Sequence, residues 1–173
     1  MTSVKYIFST ILIALLNFNI ACADDAHRKS LQATGKARVI APISIVNTDA
    51  QGLDFGVIAL GLAESKVVVA PQLSVPINVS SGDAVVLSST PQTAAKFTVS
   101  GETAQSYSIT LPTSATLTYS SNMLIVNSFT CSNGVSGHIG TNDLFFVGGE
   151  LTIPAGATPG VYNGTFNVTV DYN

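Results

Sequence analysis

The last thirteen residues, Val161 to Asn173, leave a chain like this little choice of fold. Every second position from Tyr162 is apolar, aromatic or glycine: Tyr162, Gly164, Phe166, Val168, Val170 and Tyr172. The positions between them, Asn163, Thr165, Asn167, Thr169, Asp171 and Asn173, are all polar. A period of two over this length is a β-strand with one face buried and one face wet. Such a strand has to pair with something, and the identity of that partner is the functional question.

A second alternation opens the chain. Leu31, Ala33, Gly35, Ala37, Val39 and Ala41 fall on one face, with Gln32, Thr34, Lys36 and Arg38 on the other. Pro42 lacks an N–H, so a central ladder should not run through it unbroken. Short strands are expected after it: Ile43–Val46, Leu53–Ile58, Lys66–Ala70, Leu73–Val79, Ala84–Leu87, Lys96–Ser100, Tyr107–Leu111, Thr116–Tyr119 and Met123–Val126. Leu144–Ile153 reads as a strand kinked at Gly148 and Gly149, and Ser132–Asn142 as a glycine- and serine-rich loop. No segment after the first stretch has helical periodicity. Many short strands with Gly and Pro turns imply an all-β sandwich or barrel. There is no repeat and no linker, so one domain is expected.

The first stretch reads as a targeting signal. Lys5 precedes an apolar run from Tyr6 to Leu16, and Ala21-Cys22-Ala23 has the small-x-small pattern of a cleavage site. The run is shorter than the ~18–20 apolar residues of a membrane span, so residues 1–23 are expected to be cut off, leaving no span. Cys22 as a lipoprotein cysteine is the variant of this reading. Residues 24–41 then form a leader with a candidate strand, and residues 42–173 the β-sandwich. Without residues 1–23, six Lys and Arg face ten Asp and Glu, a net charge of −4. That is the wrong sign for a nucleic-acid partner. Charged residues are 10% of the chain, against about 25% in ordinary soluble domains. Ser, Thr, Asn and Gly do the solvating, which suits an exported or self-assembling protein.

The inventory for chemistry is thin. His27 and His138 lie far apart without a third ligand, and the acids sit singly near turns. Cys131 and His138 could approach each other, but nothing implies an orienting Asn or Asp. No cofactor, metal or enzyme is expected. Cys131 would be the one cysteine left after cleavage. Two readings stay open for it, an intermolecular thiol and a small buried side chain.

Together the two alternating ends resemble the pilin subunits of bacterial chaperone–usher fimbriae. Those carry a glycine fourteen residues from the C-terminus and a penultimate tyrosine, here Gly160 and Tyr172. The middle resembles a family of uncharacterised bacterial secreted β-domains, domain of unknown function 4402, itself similar to pilins of the spore coat protein U type. The stretches that carry this are Ala37–Ile45, Leu53–Gly56, Ala95–Gly101, Tyr107–Pro112 and Val147 through Gly160 to the end. Coat-protein-U-type pilins hold a cysteine where this chain has Pro42, so their disulfide is absent here.

The resemblance implies an immunoglobulin-like antiparallel sandwich, incomplete by one strand and completed by a donated one. The donor teeth would be Leu31, Ala33, Gly35, Ala37 and Val39. Gly160, Tyr162, Phe166, Val168, Val170 and Tyr172 would form the assembly strand. The implied partners are copies of the chain or related subunits, a periplasmic chaperone and an outer-membrane usher, at the bacterial surface. The opening strand could equally be the first strand of the chain's own complete sandwich. In that case the protein is a non-polymerising secreted module that binds a surface ligand or glycan.

Overall fold

The computed structural model describes residues 29–48, 52–73, 79–87, 91–140 and 143–173. The expected signal, Cys22 and His27 lie outside them. Two compact units are resolved, divided after Arg38. In the first, residues 29–38 hold no strand and every one is exposed.

The second unit is an all-β antiparallel sandwich, with no helix among the described residues. Its strands are β1 (Ser44–Asn47), β2 (Ile58–Ala59), β3 (Ser65–Val69), β4 (Val79–Ser81), β5 (Val85–Val86), β6 (Ala95–Ser100), β7 (Ser106–Thr110), β8 (Ser114–Tyr119), β9 (Asn122–Cys131), β10 (Ser136–His138), β11 (Asp143–Ile153) and β12 (Thr169–Tyr172). One sheet runs β1-β6-β11-β3-β4, with the β8–β9 hairpin joined through β9 to β11. A second runs β10-β7-β12, and β2 pairs with β5.

β11 is the spine of the larger sheet. Its first half pairs with β6 from Asp143↔Val99 to Val147↔Ala95. Its second half pairs with β3 from Gly149↔Val69 to Ile153↔Ser65. β9 lies along its other edge, with a register shift between Gly148 and Glu150. The kink expected at the two glycines is this bulge. A Cβ on Gly148 would run into the Val69 carbonyl, so the close approach of the two backbones requires glycine there.

Alternation sets which side chains go inside. β3 buries Ser65, Val67 and Val69 and leaves Lys66 and Val68 half-exposed. Lys66 reaches across the outer face to Glu150, Nζ to Oε1 at 2.9 Å. The buried residues form two clusters. One gathers Phe55, Val67, Val69, Leu124, Val126 and Leu151 with their neighbours. The other gathers Val99, Tyr107, Ile109, Phe145, Val147 and Val170 with theirs. Leu53 and Phe129 touch both.

At the β3 end, Asp83 holds a turn. Its carboxylate accepts the Leu62 N–H at 2.8 Å and the Ala63 N–H at 3.1 Å. Ser65 Oγ accepts the Asp83 and Ala84 N–H groups. The Leu62 N–H above all, and then that of Ala63, hold the Asp83 carboxyl below its ordinary value. A depressed carboxyl stabilises the fold above the ordinary carboxylate pKa near 4, and that contribution is lost as pH falls through the depressed value. Asp83→Asn should therefore lose less stability than the parent between pH 7 and pH 3, read from urea midpoints. Equal acid sensitivity in the two chains would contradict this role.

Candidate functional site

The C-terminal stretch changes partners along its length. Thr118 and Asn163 exchange N–H···O bonds of 2.8 and 3.1 Å, tying its start to β8. From Thr169↔Thr110 to Tyr172↔Tyr107 it pairs with β7. Gly160 and Gly164 permit the first part. A Cβ on Gly160 would enter the Tyr119 ring, and one on Gly164 would meet the Thr116 carbonyl. Tyr162 lies beside the same ring, with centroids 5.7 Å apart. Its hydroxyl donates to the Thr158 carbonyl at 2.8 Å.

Among the described residues, β12 pairs with a strand on one side only. β12 ends the smaller sheet and β1 ends the larger one among the described residues. Asn173 donates its N–H to Ser106 of β7. Main-chain groups alternate sides along an antiparallel strand. Thr169 and Asp171 therefore face β7 as well, and Val168 and Val170 turn their N–H and C=O groups to the open side. Their side chains, with Phe166 and Tyr172, point into the sandwich beside Ile43 and Ile45 of the β1 side.

Ahead of β12 is an apolar cleft of about 340 Å³. Asn47 of β1 and Gly164–Phe166 stand at its mouth, and Leu53, Phe97, Leu117 and Phe129 line it among others. The Phe166 ring is 5.0 Å from Phe129 and meets Phe97 edge-on at 6.5 Å. Phe97 stacks in turn on buried Phe145 at 5.4 Å. Leu53 and Phe129 line this cleft and also join the two core clusters. The cleft thus lies where the interior is divided.

The expected donor teeth are all in view and all exposed. Leu31 is 97% and Val39 93% accessible, and Gly35 has nothing within 4 Å of where a Cβ would be. The expected assembly residues Tyr162, Phe166, Val168, Val170 and Tyr172 are half-buried or buried in strict alternation, while Gly160 is exposed against Tyr119. Sequence reasoning missed the opposite wall. Nothing in the pattern around Leu53, Phe97, Leu117 or Phe129 distinguishes a cleft lining from an ordinary core.

Cys131 ends β9, half-buried, and burial pushes its thiol up. A thiolate nucleophile needs the opposite shift. His138 Nε2 lies 3.1 Å from Ser106 Oγ. Burial, with Asp143 beside it, also holds the Tyr107 phenol well above its ordinary value, so it remains a neutral core side chain. Among the described residues no three His, Cys, Asp or Glu side chains gather in a way that would hold a metal ion.

Residues 43–172 match the model of one family, described as Domain of unknown function (DUF4402). The match covers the sandwich from Ile43 to Tyr172. No curated protein and no solved structure matches the chain.

Proposed function

We propose that this chain, which belongs to the DUF4402 family, is a structural, fimbria-like subunit that assembles head to tail by lending its N-terminal segment to a neighbour. The observations that carry the reading are the two edge strands, β1 and β12, and an apolar cleft lined by Asn47 of β1 and by Gly164–Phe166 just ahead of β12. An open edge and a wet apolar groove are both unfavourable in water. One extended strand with apolar residues on one face relieves both, its main chain pairing with the edge and its teeth filling the groove.

The segment Leu31–Val39 has that pattern and is fully exposed. A contact between one subunit's N-terminal segment and the next subunit's cleft is heterologous and does not close on itself, so it builds a fibre. On this reading the chain is exported, a periplasmic chaperone strand covers the cleft first, and an outer-membrane usher releases the assembled fibre at the cell surface.

Gly35→Trp tests it. A Cβ on Gly35 would meet nothing within 4 Å, so the substitution should leave the thermal midpoint within a degree or two. In a neighbour's cleft the indole would have to share about 340 Å³ between Phe97, Phe129 and Phe166 with the donated backbone and the teeth on either side. Light scattering should find oligomers in the parent and monomers in the variant. A variant that assembles as the parent does, or a parent that is monomeric, would sink the reading.

A further inference from the structure

Two polar atoms inside the sandwich have no partner in the protein. Tyr107 on β7 is fully buried. Its ring belongs to the cluster of Val99, Ile139, Phe145 and Val147. Its hydroxyl reaches under β10 because residue 137 is glycine, since a Cβ there would strike Oη and the ring. Oη makes no hydrogen bond to any protein group. Asp143 opens β11 on the face that Phe145 and Val147 turn inward. Its Oδ2 is buried and also lacks a bond.

The two atoms are neighbours. The Asp143 carboxyl lies close enough to help keep the phenol protonated. Direct contact does not satisfy them, since no O–H···O bond of proper length and angle joins Oη to Oδ2. Leaving either atom bare among apolar side chains is unfavourable, and a carboxylate oxygen the more so. Nearly all buried polar atoms in folded proteins find a partner, either a protein group or an ordered water.

The chemistry of the pair selects the guest. A phenol can donate one proton, and a carboxylate only accepts. A water accepts from the first and donates to the second. A cation fits poorly. Hard cations such as calcium take about six to eight oxygens, and among the described residues no three His, Cys, Asp or Glu side chains gather to hold one. Cys131, the other ionisable group that acts on the phenol, is a thiol that burial pushes up.

We propose that Tyr107 Oη and Asp143 Oδ2 bind one ordered water, which ties β7 of the smaller sheet to β11 of the larger across the interior. β7 is also the strand on which β12 rests, with Tyr172 opposite Tyr107. The bridge therefore fixes the support of the C-terminal strand against the spine of the other sheet. A water held in this way restores both bonds at a small cost in ordering. The bridge lies within one chain and forms whether or not chains assemble.

A high-resolution crystal structure of the protein and a double-mutant cycle test it. The crystal should show density for one water within hydrogen-bond distance of both oxygens. Direct contact between the oxygens, no density between them, or a cation with short contacts to several oxygens overturns the proposal. The cycle reads the weight of the bridge. Tyr107→Phe removes only the hydroxyl and spares the packing of the ring. Urea unfolding should show the folding equilibrium constant fall about fivefold. In an Asp143→Ala background the same change should cost less than about twofold, because the water has already lost its second partner. If Tyr107→Phe costs nothing, or costs the same in both backgrounds, the hydroxyl is not bridged to Asp143 and the proposal fails.

Discussion

Phe145→Ala should bring the protein close to unfolding. Phe145 is fully buried on the central strand of the larger sheet, and its ring stacks on Phe97. Removing such a side chain costs the transfer free energy of the ring and leaves a cavity, together about 3–5 kcal/mol. Whole domains hold only about 5–15 kcal/mol. Urea unfolding at neutral pH should show the midpoint fall by a third or more at unchanged slope. The effect reaches the cleft as well, because Phe97 is both the support of its floor and the partner of Phe145. Phe145→Leu keeps most of the volume and should cost far less. If alanine cost under about 1 kcal/mol, the cluster around Phe145 and Phe97 would not be close-packed as the structure has it.

Much of the sandwich was legible in the sequence, for a simple reason. Where β-branched and aromatic residues alternate and the partner strand belongs to the same chain, pattern and ladder coincide. Lys96–Ser100, Tyr107–Leu111 and Thr116–Tyr119 fall within a residue or two of β6, β7 and β8. The glycine kink in β11 was legible too, since two adjacent glycines inside an apolar run mark a close backbone approach.

Other stretches were misread, each through a local interaction that pattern does not reveal. Leu53–Ile58 reads as a strand, but only Ile58–Ala59 is one. Asp54 Oδ1 accepts the Gly56 N–H at 2.8 Å, and Gly56 has φ of 75°, so a side-chain turn interrupts the extended backbone. The Ser132–Asn142 loop hides β10, whose Ser-Gly-His has no apolar rhythm. Gly137 is there because a Cβ would strike the Tyr107 phenol.

The opening segment is the instructive case. Its alternation from Leu31 is as regular as that of the last strand, yet residues 29–43 form no strand. Periodicity reports which side chains can share a face, and a ladder needs a partner besides. The far wall of the cleft was illegible for the complementary reason. Leu53, Phe97 and Phe129 are apolar whether a strand covers them or not, and only the fold places them around a cleft.

Moving Leu31–Pro42 from the front of the chain to a position behind Asn173, through a short flexible linker, should stabilise the protein and end its assembly. Burying Leu31 and Val39 contributes about 1.5–3 kcal/mol each, and part of that is lost to ordering the segment. A net gain of about 2–3 kcal/mol raises Tm by roughly 5–10 °C in a domain of this size. The linker turns an encounter between molecules into one within a molecule, at millimolar effective concentration, so the cleft fills before a neighbour arrives.

Mass by light scattering, with Tm, for the chain from Asp24 to Asn173 beside the rearranged chain is the most direct test of head-to-tail assembly. Head-to-tail oligomers for the first and a monomer of higher Tm for the second are what the open edges and the cleft predict. A first chain that is a stable monomer, with the same Tm after residues 24–41 are deleted, would contradict it.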